Sequence, residues 1–253
     1  MIENGKSGRY KMKNDIWNPW HGCHKKSAGC LNCYMFRRDA QFNKDSTIVS
    51  KTKDYSLAVI RNKKGEYKLK SNSNVYVCMT SDFFIEEADE WRKEIWKMIR
   101  ERSDIKFTII TKRIERFYVS LPEDWEDGYE NVTICVTVEN QEMAEERLPI
   151  FLSLPIKHKE IIHEPLLEEI NIEKYLKTKQ IEHITCGGES GENARACNYD
   201  WVLKIRENSM KYGIPFLFKQ TGTNFIKDGK LYKIERKKQM NQAKLARIDY
   251  IPK

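Results

Sequence analysis

VTICVTVENQEMAEERLPIFLSLPIKHKEIIHEP, residues 132–165, sets two short β-branched runs, VTICVTV and KEIIH, on either side of a segment with helical patterning. Such runs read as buried strands, and strand, helix and strand in succession form the βαβ unit of a parallel sheet. Ligand-capable residues follow each run at once: Glu139 and Asn140 after the first, Glu164 after the second.

The same unit repeats outward in both directions. VYVCM (75–79), KFTII (106–110), IEHITC (181–186) and IPFLF (214–218) are further strand candidates, and a shorter one precedes Trp17. EEADEWRKEIWKMIRER (86–102) begins in acids and ends in Arg, as the helix dipole favours. WVLKIRENSMKYG (201–213) follows Asp200 as an N-cap and closes at Gly213. Directly after successive strands come Ser81 with Asp82, Lys112 with Arg113, Glu139 with Asn140, Glu164, Gly187 to Ser190, and Lys219 with Gln220. From Asp82 through Arg113, Asn140, Glu164 and Glu189 to Lys219 the spacings are 31, 27, 24, 25 and 30 residues, the βα repeat of a barrel. The expected fold is therefore α/β, a partial or complete (β/α) barrel of parallel strands. A doubly wound open sheet is the alternative, and both gather ligands at the carboxyl ends of the strands. The barrel domain is assigned to residues 1–225, with 44–72 as an insertion or small hairpin and 226–253 as a basic C-terminal extension.

At 253 residues and 40% hydrophobic content the chain can bury a sizeable core. It has no apolar run of the roughly 18 residues that a membrane span needs, and its opening residues lack a signal-peptide core, so the expectation is a cytoplasmic protein without a membrane partner. The net charge is +8, and residues 226–253 carry nine Lys or Arg against three acids. A basic stretch of this kind is either a solvated face or a contact for nucleic acid.

WNPWHGCHKKSAGCLNCY (17–34) lies between the first strand and a helix expected over LNCYMFRRDAQFN (31–43). Cysteines in a reducing compartment stay as thiols, so Cys23, Cys30 and Cys33 read as a ligand set rather than a disulfide framework. Thiolates suit zinc and iron-sulfur clusters. His21 or His24 would complete a Cys3His zinc staple; a 4Fe-4S cluster on three cysteines leaves one iron open; three unligated thiols are the remaining reading. Trp17 and Trp20 either stack on a base or pack over the loop. His163 reads as a core or rim histidine, and Cys186 as a buried strand cysteine. Asp82, Glu139 and Glu164 are acceptors for hydroxyls or cofactor nitrogen, and Lys112, Arg113 and Lys219 are donors for carboxylate or phosphate, unless each forms a rim ion pair.

The cysteine stretch resembles that of a phage-associated family of unknown function with a three-cysteine motif, itself similar to radical SAM enzymes. FTIITKRIERF, VTVENQEMAEERLPIFLSLP, HEPLLEEINI, ITCGGESGENAR and WVLKIRENSMKYGIPFLFKQTG carry the likeness along most of residues 16–222, in order. The resemblance implies a 4Fe-4S cluster on Cys23, Cys30 and Cys33, with S-adenosylmethionine on the open iron. Reductive cleavage would then give a 5'-deoxyadenosyl radical that abstracts hydrogen from substrate, the cofactor carrying the hard chemistry. A reducing electron donor and a companion protein are the further partners it implies. The spacing departs from the superfamily's: six residues separate Cys23 from Cys30, and Asn32 stands where an aromatic precedes the third cysteine. GGE at 187–189 resembles the strand-end motif that meets the cofactor's amino group, though here it follows a late strand. On this reading Gly187, Gly188, Glu189, Ser190, Ser81, Asp82, Glu139 and Asn140 face the cofactor. Lys112, Arg113, Glu164, Lys219 and Gln220 face a substrate, with nucleic acid or a nucleotide as its expected class. The alternative is a zinc-stapled barrel that binds nucleic acid or a partner protein without redox catalysis.

Overall fold

The computed structural model describes residues 14–252; the opening stretch behind the signal-peptide expectation lies outside the described residues. In chain order come β1 (Asn14–Trp17), β2 (Trp20–His21), α1 (Tyr34–Ala40), β3 (Ser50–Lys51), β4 (Asn74–Val77), α2 (Asp89–Glu101), β5 (Lys106–Thr111) and β6 (Val132–Thr137). There follow α3 (Gln141–Ser153), β7 (His158–His163), α4 (Glu173–Leu176), β8 (Ile181–Gly187), β9 (Cys197–Asn198), α5 (Tyr199–Lys211), β10 (Phe216–Gln220), β11 (Asn224–Lys227), β12 (Lys230–Lys233) and α6 (Arg236–Leu245).

Seven parallel strands in the order β1-β4-β5-β6-β7-β8-β10 form a half-barrel flanked by helices. All six apolar runs become strands of this sheet, and Asn14–Trp17 supplies the shorter first one. The order never reverses, so right-handed crossovers lay the connections on one side and leave the strand carboxyl ends along one rim. Burial on both faces explains the nearly unbroken apolar runs: in β6 only Thr133 is even partly exposed.

Outside the sheet, α2 buries Arg92, Ile95, Trp96 and Ile99, one stripe at helical spacing. Trp96 meets Phe83 and Trp125 edge-on at centroid distances of 4.9 and 5.0 Å, the geometry that aromatic quadrupoles prefer. Trp17 and Trp20 are fully buried. The Trp17 indole N–H donates to the Asp54 carbonyl (3.0 Å), and that of Trp20 to the Asp82 carbonyl (3.2 Å). Both are therefore packed into the core, Trp17 against Phe107 and Trp20 against Phe83 and Trp91.

The 44–72 segment is tied down by Arg102, whose guanidinium has no solvent exposure. It donates to the Leu69 carbonyl (2.9 Å), the Ala58 carbonyl (2.5 Å) and Asp104 Oδ1 (2.8 Å). At α5 the cap is Asn198 and not Asp200: the Asn198 side chain accepts from the Asp200 amide at 3.0 Å, and Asp200 occupies the first turn. An Asx side chain two positions upstream reaches that amide without leaving extended geometry, which is what a cap requires. The basic C-terminal stretch is folded onto the barrel. Tyr250 exchanges backbone hydrogen bonds of 2.8 and 2.9 Å with Phe216 on the edge strand β10, and β11 pairs with both β12 and β9. Among the described residues no helix is long and apolar enough to cross a membrane.

Replacing Arg102 leaves the Ala58 and Leu69 carbonyls without their buried donor. Arg102→Met is expected to lower stability by about 3 kcal/mol, read as a depressed thermal midpoint with early proteolysis within 44–72; an unchanged midpoint would show that the segment is held by other contacts.

Candidate functional site

The cysteine loop runs from β2 to α1 and is pinned at several points. The Cys23 amide donates to the Ser46 carbonyl (2.8 Å), and Gly22 to the Thr80 carbonyl (3.2 Å). A tight turn follows, with Cys30 N–H to the Ser27 carbonyl (2.9 Å) and Cys33 N–H to the Cys30 carbonyl (3.3 Å), and it delivers Cys33 to the N-cap of α1. Glu139, at the end of β6 and fully buried, holds this turn from below: its Oε1 accepts from the Gly29 amide (3.0 Å) and from the Ser27 hydroxyl. Its Oε2 accepts from Arg147 of α3 at 2.9 Å.

All three cysteines line one cavity of about 400 Å³ at the carboxyl ends of the strands. Ser81, Asp82, Lys112, Arg113, Glu164, Gly188, Glu189, Ser190, Lys219 and Gln220 line it too, so residues expected from five strand ends converge as the repeat implied. Gly187, Glu139 and Asn140 stand outside the lining. Asn140 caps α3 by accepting from the Met143 amide (3.0 Å). Gly187 makes room: a Cβ there would lie 2.4 Å from Glu164 Oε1. Gly188 lets the backbones of two strand ends meet, since its Cβ would fall 2.2 Å from the Thr221 carbonyl oxygen. The glycines of GGE thus serve close packing within the rim.

The rim carboxylates have distinct partners. Asp82 accepts from Thr111 (2.8 Å), the Lys112 amide (2.9 Å) and the Phe84 amide (3.0 Å), and lies 3.5 Å from Arg113. Glu189 is clamped by Arg195 through Nη2 (2.6 Å) and Nε (3.0 Å), and by the Asn32 amide (3.0 Å), which joins the GGE turn to the cysteine loop. Burial alone would raise its carboxyl, but these donors hold it below its ordinary value. Glu164 Oε2 pairs with Lys219 (2.6 Å), while its buried Oε1 has no partner among the described residues. Arg113 donates to the His24 carbonyl (2.7 Å) and lies 3.8 Å from the Cys23 sulfur. Burial, with Asp82 adding to it, pushes the Cys23 thiol up to about 12 against the pull of Arg113.

Neither histidine of the loop turns to the thiols. His21 Nε2 faces Asp39 (2.8 Å), and His24 Nε2 faces Glu87. Among the described residues no group of three or more His, Cys, Asp or Glu is already gathered as a metal cage. His163 is buried outside the lining, its Nδ1 donating to the Val138 carbonyl (2.7 Å). Cys186 is likewise buried in β8. Several lining residues carry no signal in the sequence. Cys78 follows β4 in a left-handed conformation (φ 58°), and Arg37 and Arg236 come from α1 and α6. Tyr34 also lines the cavity and donates to the Met79 carbonyl.

Comparison with known families places the chain: it belongs to the family described as "Protein of unknown function (DUF5131)", which matches residues 9–250. No curated protein and no solved structure matches it.

The buried groups set an acid limit. Burial drives the His163 imidazole down to about 4 from an ordinary 6.5, so the unfolded chain takes up a proton that the folded one refuses, and stability falls as pH drops through that window. For Glu139 burial is outweighed by Arg147, Lys112, Ser27 and Gly29, which keep its carboxyl below 4.5; its contribution is present above that value and is lost as pH falls below it. Glu139→Gln is expected to cost about 3 kcal/mol at neutral pH and to make the loop thiols react faster with a disulfide reagent. Unchanged stability and reactivity would mean that the loop does not depend on Glu139.

Proposed function

We propose that this member of a family of unknown function is a radical SAM-type iron-sulfur enzyme acting on a nucleic acid or nucleotide-like substrate. One observation carries the proposal: Cys23, Cys30 and Cys33 share a cavity with the strand-end residues of a half-barrel. Soft donors in this number suit a 4Fe-4S cluster with one iron open to an outside ligand. The thiols are not preassembled, and metal binding commonly couples to local ordering of its ligands. For the zinc alternative, the Nε2 atoms of His21 and His24 are each already engaged with a carboxylate.

The cavity also fits S-adenosylmethionine in its charge. Its ammonium needs a carboxylate acceptor; Glu189 is held by Arg195 and Asn32, whereas Glu164 Oε1 is buried on the wall without a donor. We therefore assign the ammonium to Glu164, steadied by Lys219 on its other oxygen. Arg113, beside Cys23, offsets thiolate charge. Arg37 and Arg236 give the lining a basic side suited to phosphate. Together, the cluster and S-adenosylmethionine supply reductive cleavage of a sulfonium C–S bond, and from it the abstraction of hydrogen from substrate.

Purified without oxygen, the protein is expected to be brown, with broad absorbance near about 400 nm and about four irons. A colourless protein with about one zinc would make it a stapled binding protein instead. Cys30→Ala should lose the colour, and a full cluster in that variant would refute the ligand set. Dithionite and S-adenosylmethionine should together release 5'-deoxyadenosine, and no release from cluster-loaded protein removes the enzymatic reading. Glu164→Gln should keep its irons yet bind S-adenosylmethionine about tenfold more weakly in equilibrium dialysis; equal affinity would return the ammonium to another group.

A further inference from the structure

A second cavity, of about 680 Å³, is bounded by α5, α6 and the β11–β12 hairpin. Its walls combine aromatic rings, Tyr199, Phe225 and Tyr232, with Lys227, Lys233 and Lys238. Tyr232 is 41% exposed, with the Lys230 ammonium 5.3 Å from its ring centroid. The Lys227 ammonium lies 5.2 Å from the Tyr199 ring centroid. Glu235 is the sole acid of the lining, and it pairs with Lys237 and Lys238 at 3.3 and 3.2 Å. Lys227 and Lys233 form no ion pair among the described residues.

The two cavities share their borders. Arg236 and Gln220 line the cysteine-bearing one, while their chain neighbours Glu235 and Thr221 line the second. A polymer crossing the start of α6 therefore reaches both. An acidic peptide would satisfy the lysines and leave the rings without a partner, whereas a single strand offers phosphates to the lysines and a base to Tyr232, a combination tolerant of sequence.

We propose that this second cavity binds one nucleotide of a single-stranded nucleic acid, the base on Tyr232 and the phosphates at Lys227 and Lys233, and so presents a neighbouring nucleotide to the cysteine-lined cavity. The presentation rests on the function proposed above; the binding does not.

Fluorescence anisotropy with labelled oligothymidylate and oligouridylate of about 12 nucleotides tests it on the full chain, both as wild type and as Cys30→Ala. Cluster loss therefore leaves the measurement intact. Binding of either strand is expected, weakening as salt rises. Tyr232→Ala should weaken it about tenfold with the salt slope unchanged. Lys227→Gln with Lys233→Gln should flatten the slope by about 1.4, and Lys63→Gln with Lys64→Gln, in an exposed loop elsewhere, should leave it as it is. The proposal fails if neither strand binds at about 100 µM protein, if the Tyr232 and paired-lysine variants match wild type, or if the control pair costs as much as the site pair. Equal capture of polyglutamate, insensitive to Tyr232→Ala, would also overturn it.

Discussion

Glu139 sits at the carboxyl end of β6 without solvent exposure, and its two oxygens face opposite ways, one toward Arg147 of α3 and the other toward Ser27 and Gly29 of the cysteine loop. A buried carboxylate is tolerable only when paired and fully hydrogen-bonded. The loop and the helix thus each satisfy half of a charge that neither could hold alone. Cys30 and Cys33 come just after the tethered residues and take their place over the rim from this group, while Cys23 is set separately by the Ser46 carbonyl.

The βα rhythm was legible because burial on both faces demands unbroken apolar runs, and the polar residues after them stand out by contrast. The convergence of rim residues followed from the spacing alone. What the sequence concealed were the partners. Glu139 and Glu189 look like ligand-binding acids when read in line, but besides the nearby Arg147 and Arg195 they take donors from 110 and 157 positions away, Gly29 and Asn32. Local periodicity carries no information about such pairings. Trp17 and Trp20 were ambiguous for the same reason, since an indole's role depends on whether its N–H finds a carbonyl inside, as both do here.

Of the acceptors on the cavity wall, Glu164 differs from its neighbours. Asp82 and Glu189 are saturated by backbone and guanidinium donors, which makes them parts of the scaffold. Glu164 keeps one oxygen unpartnered, and Gly187 gives it the space to do so. A pairing deficit in an enclosed place is costly unless a ligand removes it. On the proposed reading the ligand contact falls to Glu164, with Gly187 giving it room, rather than to Glu189.

The strand that closes the half-barrel, β10, would present bare amides and carbonyls to solvent were it not for the bridge between Phe216 and Tyr250 and the bond from the Phe218 amide to Asp249. Unpaired strand margins recruit foreign strands. The lysine-rich residues thus lie between the barrel and the segment that covers this margin, so removing them together with Asp249 and Tyr250 uncovers the β10 edge. The hairpin beside it is held to length by its own turn: Asp228 and Gly229, both at positive φ, are the two residues between the paired Lys227 and Lys230, so the β11–β12 register depends on them.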